Sequence, residues 1–181
     1  MRTHQNLPSS ILVSSSFQKR NSKCLVLITG LRGSGKTTYC AEIASLAINY
    51  GFSVGGILCP AVIEGKNKVG IDQLNISTGE QRRLGVRSYQ SSDNTVGGWC
   101  MDETVIAWGN QIIASLEEDI IIIDELGPLE LEHGYGYQEA LNLLDEERYD
   151  IAFVVVRPSL LPIAQLRWPQ AQTYSLESAT I

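Results

Sequence analysis

Histidine is scarce in this chain. Its 181 residues include only His4 and His133, and neither has metal-ligating company at a useful spacing, so both read as solvated side chains. Cysteine is sparse and scattered. Cys24, Cys40, Cys59 and Cys100 form no C-x-x-C pair, and buried free thiols in a reducing cytosol are expected. No apolar run approaches the roughly 18 residues that span a bilayer. Ile11-Leu12-Val13, set among serines, is too short for a signal-peptide core, so a cytoplasmic protein without membrane attachment is expected. Positive charge is in deficit: 14 Lys and Arg stand against 20 Asp and Glu, a net −6. That balance argues against general affinity for nucleic acid or anionic membrane. Arg82, Arg83 and Arg87 make the one dense basic segment, read as a solvated hairpin edge or, less simply, an anion site.

What is present describes an ordinary globular chain, 44% hydrophobic and 19% charged. Residues 1–22 are polar and serine-rich and read as a flexible N-terminal extension. Residues 23–181 suffice for a single domain with a real core.

Leu25 to Ile28 is a continuous apolar run, the pattern of a strand buried on both faces of a parallel sheet. Thr38 to Tyr50 carries Ile43, Leu46, Ala47 and Tyr50 at helical spacing, with Gly51 as its stop. Phe52 to Cys59 reads as a second strand ended by Pro60. From about 61 to 98 the pattern shifts to short extended pieces with turn signals at Glu64-Gly65-Lys66-Asn67 and Ser77-Thr78-Gly79-Glu80, which predicts an antiparallel β meander. Ser91-Ser92-Asp93-Asn94 reads as a loop. A helix is expected from Met101-Asp102-Glu103, with Val105, Trp108, Ile112, Ile113 and Leu116 as its stripe. Strands at Ile120–Ile123 and Ile151–Val156 follow, separated by a helix carrying Tyr137, Ala140, Leu141 and Leu144. A short helix near 160–166 and a last strand near 172–176 complete the alternation. The prediction is a three-layer α/β fold with a mostly parallel central sheet.

Two segments carry chemistry. Gly30, Gly35, Lys36 and Thr37 meet the pattern G-x-x-x-x-G-K-[ST] between strand and helix. In such a loop backbone N–H groups cradle phosphate oxygens at a helix N-terminus. Residues Gly30, Leu31, Arg32, Gly33, Ser34, Gly35, Lys36, Thr37 and Thr38 are the expected nucleotide-binding set. Lys36 would reach the β/γ-phosphates and Thr37 would ligate Mg²⁺. The second segment, Ile120-Ile-Ile-Ile-Asp124-Glu125, ends a buried strand in two carboxylates. Asp124 would complete the Mg²⁺ site with Thr37, and Glu125 would orient and deprotonate an attacking water. By the crossover rule both segments fall on one sheet edge.

A further cation is expected for the transition state. Arg157, after a buried strand, and Arg32, inside the loop, are candidates. Arg167 and Trp168 could lie near a nucleobase, although Trp168 reads more simply as core.

These residues resemble a known family, the small P-loop nucleoside-triphosphatases first described in thermophiles and also called cancer-related nucleoside-triphosphatases. The resemblance rests on Ile28-Thr-Gly-Leu-Arg-Gly-Ser-Gly-Lys-Thr-Thr38, on Gly51-Phe52, on Val96-Gly-Gly-Trp-Cys-Met-Asp102 and on Ile120-Ile-Ile-Ile-Asp-Glu-Leu-Gly-Pro-Leu-Glu130. It implies a RecA-like P-loop fold and slow, Mg²⁺-dependent hydrolysis of ATP, GTP and other nucleoside triphosphates. It also implies Gly30 to Thr37 as phosphate loop and Asp124 with Glu125 as metal-linked acid and base. The chain departs from the family at Leu58 to Glu64, where relatives usually carry an acidic pair and an arginine. It departs again near Arg157, where many have histidine. A nucleotide-gated regulatory or partner-binding module and a small-molecule or nucleotide kinase stay open as alternatives, as do a homo-oligomer or protein partner that supplies an arginine.

Overall fold

The computed structural model describes residues 23–88, 95–96 and 98–176. The expected N-terminal extension and the Ser91–Asn94 loop lie outside the described residues.

Ten strands and five α-helices make the described fold. In chain order they are β1 (Cys24–Gly30), α1 (Lys36–Asn49), β2 (Val54–Leu58), β3 (Ala61–Glu64), β4 (Asn67–Asn75), β5 (Gln81–Arg87), β6 (Thr95–Val96) and β7 (Trp99–Met101). Then come α2 (Glu103–Ala114), β8 (Ile120–Leu126), α3 (Pro128–Leu131), α4 (Gln138–Asp145), β9 (Ile151–Val156), α5 (Leu161–Arg167) and β10 (Gln172–Leu176). One sheet runs β10-β1-β9-β8-β2-β4-β5-β7-β6, with β3 paired beside β4. The first five are parallel and the rest antiparallel.

The apolar runs explain the three layers. Side chains alternate across a strand, so Leu25, Leu27, Ile121, Ile123, Ala152 and Val154 enter one core with α2, α4 and α5. Val26, Ile28, Ile120, Ile122, Phe153 and Val155 enter the other with α1. Strand β2 fits tightly between neighbours because of Gly56, where a Cβ would fall 2.0 Å from the Ile122 carbonyl oxygen.

Local ends follow chain chemistry. Gly51 closes α1 in a Schellman arrangement, with Gly51 N–H on the Ile48 carbonyl at 2.9 Å and Phe52 N–H on Ala47 at 3.1 Å. Tyr50 is exposed rather than part of the apolar stripe, because it has become the C-cap. Asp102 is the N-cap of α2, accepting from the Thr104 and Val105 N–H groups, so Met101 closes β7 instead of opening the helix. Of the four thiols Cys40 alone is fully buried.

The meander takes up the flank of the parallel sheet and rises past its edge. Strand β4 pairs first with β2 (Leu58↔Leu74) and then, beyond Cys59-Pro60, with β3 (Ala61↔Ile71 to Glu64↔Asn67). The β3–β4 hairpin therefore projects beyond the edge at which β1, β2, β8 and β9 all end.

Candidate active site

That shared edge gathers the phosphate loop after β1, Asp124-Glu125 in β8, Arg157 after β9 and Cys59 after β2. Strand β9 lies between β1 and β8, so the loop and the two carboxylates stand one strand apart.

Gly30, Gly33 and Gly35 have positive φ of 154°, 80° and 87°, which L side chains rarely adopt. A Cβ on Gly30 would also meet the Leu176 carbonyl and Ser34 Oγ, each at 2.7 Å. Gly35 is the N-cap of α1 and offers no side-chain cap, so the first-turn N–H groups point to whatever sits in the loop. Ser34 Oγ is buried there without a partner. Lys36 Nζ donates to the Gly30 and Leu31 carbonyls at 2.8 and 3.0 Å, folding its charge over the loop. Leu31, Arg32 and Thr38 are exposed around it.

Asp124 is 3% exposed. Burial pushes its carboxyl up to about 6, opposed by hydrogen bonds from the Thr37 hydroxyl and the Cys59 N–H, the latter at 3.2 Å. The two segments singled out in the sequence therefore meet at Thr37 and Asp124. A hydroxyl and a carboxylate at one point suit Mg²⁺, which takes one or two protein oxygens and completes its shell with phosphates and water. Among the described residues no larger cluster of His, Cys, Asp and Glu could hold a metal.

Glu125, partly exposed, accepts from Arg157 at 2.6 Å. The β8–β9 ladder is interrupted between Ile123 and Leu126, which leaves Asp124 and Glu125 outside regular pairing. The peptide joining them is cis. Just beyond, Glu130 is buried and accepts from the Gly127 N–H at 2.8 Å and the Tyr137 N–H at 2.9 Å. Burial raises its pKa, against those two bonds. Glu130 pins the chain that follows the carboxylate pair.

Sequence reasoning missed three participants. Cys59 reaches Asp124 through its backbone. Tyr137 hydrogen-bonds the buried Gln73 beneath the site. Lys68 of β4 is half-buried with its ammonium 5.0 Å from the Trp99 ring centre; burial lowers its pKa, Arg32 adds to that, and Glu125 and Asp124 oppose it. Only the turn signal at Gly65-Lys66 hinted that Lys68 stands beside a hairpin tip.

Other expectations place differently. Arg167 and Trp168 are far from a nucleobase position: α5 carries the chain back to the opposite edge, where both side chains bond Asp145 at the end of α4. Trp168 is core, 2% exposed. Arg82 pairs with Glu80 and covers the Trp108 ring, while Arg83 pairs with Asp72. The basic segment is thus a sheet strand with engaged arginines.

Comparison with known proteins agrees with this geometry. The NTPase family model matches residues 25–177. Nucleoside-triphosphatase THEP1 of Methanopyrus kandleri is 30% identical over 140 residues, covering 76% of each chain. Its namesake in Methanothermobacter thermautotrophicus is 38% identical over 111 residues, 59% of this chain and 62% of the relative. Among solved structures, a human cancer-related nucleoside triphosphatase superposes with TM-score 0.65 at 19% identity, over 85% of this chain and 88% of that one. THEP1 from Aquifex aeolicus gives 0.57 at 18% identity, over 84% and 89%. At those identities the superpositions speak for the fold, a P-loop α/β sheet. With nearly all of the described chain matched, the protein belongs to the NTPase family of nucleoside-triphosphatases.

Proposed function

We propose that this chain is a Mg²⁺-dependent phosphohydrolase that converts ATP, GTP or related nucleoside triphosphates and water to the diphosphate and phosphate. The observation that carries the proposal is the meeting of Thr37 with Asp124 beside the Glu125–Arg157 pair. The backbone of Gly30 to Thr38 holds the phosphates. Lys36 exchanges the Gly30 and Leu31 carbonyls for β- and γ-phosphate oxygens. Thr37 and Asp124 are the residues that would hold Mg²⁺, which supplies charge neutralisation to the phosphates when bound. Glu125 accepts a proton from water as it attacks the terminal phosphorus. Arg157 shares its charge between Glu125 and the oxygens that become more negative as the β–γ bond breaks.

The kinase alternative is weakened, because Arg82 and Arg83 of β5, two of the three arginines a lid would use, are tied to Glu80, Trp108 and Asp72. A cytoplasmic location belongs to the same reading; among the described residues no helix is long and apolar enough to cross a membrane.

Phosphate release from several nucleoside triphosphates by the full chain, with and without Mg²⁺, tests the proposal. Release that collapses in Lys36→Ala supports it. Nucleotide binding with no release by the wild type would overturn it in favour of a nucleotide-gated module.

A further inference from the structure

The meander supplies something the phosphate loop lacks. Around Asp124 and Glu125 the structure gathers Lys36, Arg32, Lys68 and Arg157. Four cations about three carboxylates, Asp124, Glu125 and the buried Glu130, still leave a local surplus of positive charge in a chain whose net charge is −6. A polyanion is the matching ligand.

Among these cations Lys68 has a distinctive setting. It lies one residue past the hairpin turn, opposite Ile63, in the part of β4 that projects beyond the carboxyl edge of the parallel strands. Among the described residues it forms no ion pair; its ammonium rests on the Trp99 ring instead. Trp99 is brought there by the pairing of β7 with β5 (Arg87↔Trp99), next to the pairing of β5 with β4 (Gly70↔Val86). A lysine held on an aromatic face keeps its charge ready, and a phosphate oxygen is a stronger partner than a ring. The stem is long enough to leave the ring while the hairpin stays in its ladder.

We propose that Lys68 is a binding residue for the terminal phosphate of the nucleotide, its ammonium passing from the Trp99 ring to the phosphate beneath the overhanging β3–β4 hairpin. This rests on the nucleotide-site reading above. Lys68 makes the site discriminate triphosphate from diphosphate, since only the former reaches beyond Lys36 toward the hairpin.

The test compares ADP with the non-hydrolysable ATP analogue bearing an imido bridge between the β and γ phosphorus, each with Mg²⁺, by calorimetry on the full chain. Lys68→Met keeps the apolar stem over Trp99 and should weaken the imido analogue roughly tenfold or more, as loss of one charge-assisted hydrogen bond implies, while ADP is unaffected. Lys68→Arg should restore the preference. In a Trp108→Phe background the analogue should change tryptophan emission where ADP does not, and Lys68→Met should abolish that change; Trp168, buried at the opposite edge, gives a constant background. Equal loss of both nucleotides in Lys68→Met, or no loss of either, overturns the proposal. If the wild type binds the analogue and releases no phosphate from ATP, the hydrolase reading falls and the Lys68 assignment stands. If the wild type binds neither nucleotide, both fall.

Discussion

Arg157 holds Glu125: the guanidinium donates to Oε1 at 2.6 Å, joining residues 32 apart in the chain, one in β8 and the other just past the end of its neighbour β9. The expected base and the expected transition-state cation are therefore one coupled unit. Glu125→Gln should lower phosphate release about 10²–10⁴-fold, the range for losing a positioned base, while nucleotide binding persists. Because the partners touch, the loss in Glu125→Gln/Arg157→Met should fall short of the sum of the single losses by about 0.5–3 kcal/mol. Single-turnover rates of the three variants measure this, and strict additivity would separate the two roles.

Lys36→Met separates binding from folding. Among the described residues its ammonium donates to the Gly30 and Leu31 carbonyls and offsets part of the buried Asp124 charge, so the fold should persist with a loss of no more than about 1–2 kcal/mol of stability. Affinity for a nucleoside triphosphate should fall by roughly 10- to 100-fold, as for one or more charge-assisted bonds to phosphate. Thermal unfolding and calorimetric titration on the same samples give both readings.

The buried Asp124 carboxyl, at about 6 in the folded protein against an ordinary 3.8, makes stability depend on pH. Below about pH 4 both folded and unfolded chains hold the proton. From there to about pH 6 the folded chain holds more, so its stability falls as pH rises, and the full cost persists above that window. Asp124→Asn should therefore stabilise the nucleotide-free protein at pH 7.5 by up to about 3 kcal/mol, an advantage that disappears near pH 4. Urea unfolding of both forms across that range checks the sign, and the variant should release no phosphate.

Glu130 offers a stability test beside the site. Its two oxygens serve two different buried N–H groups, those of Gly127 and Tyr137. Glu130→Gln keeps the shape but turns one acceptor into a donor that faces an N–H, at a cost of about 1–3 kcal/mol. A shift of the urea midpoint without a change of slope would register it.

The parts of this site that could be read from sequence are those built from one contiguous segment. The phosphate loop has fixed spacing, and Ile120 to Ile123 announces a strand buried on both faces, so Asp124 falls at the carboxyl end of that run wherever the strand is placed, although β8 itself continues to Leu126. The partners could not be read because they come from elsewhere by tertiary pairing. Cys59 acts through a backbone N–H that any residue but proline carries. Lys68 reaches the edge because β4 runs on from its pairing with β2 to pair with β3 beyond Cys59-Pro60; the turn signal at Gly65-Lys66 marks the hairpin but not where its tip stands relative to the parallel strands. Trp168 reads more simply as core than as a nucleobase neighbour, and it is core; the nucleobase alternative rests on crossovers in α/β folds that return toward the binding edge. Here the relevant residue sits at the end of the return, on the far side of the sheet.

The junction at Cys59-Pro60 has a consequence for the carboxylate. Successive stretches of β4 pair with β2 beside the site and with β3 beyond it, so the overhanging hairpin and the sheet edge form one continuous ladder. Cys59 stands where the two stretches join, and its N–H donates to the Asp124 carboxylate. Asp124 also accepts from the Thr37 hydroxyl. Hairpin base, buried carboxylate and glycine loop therefore share a single hydrogen-bonded knot.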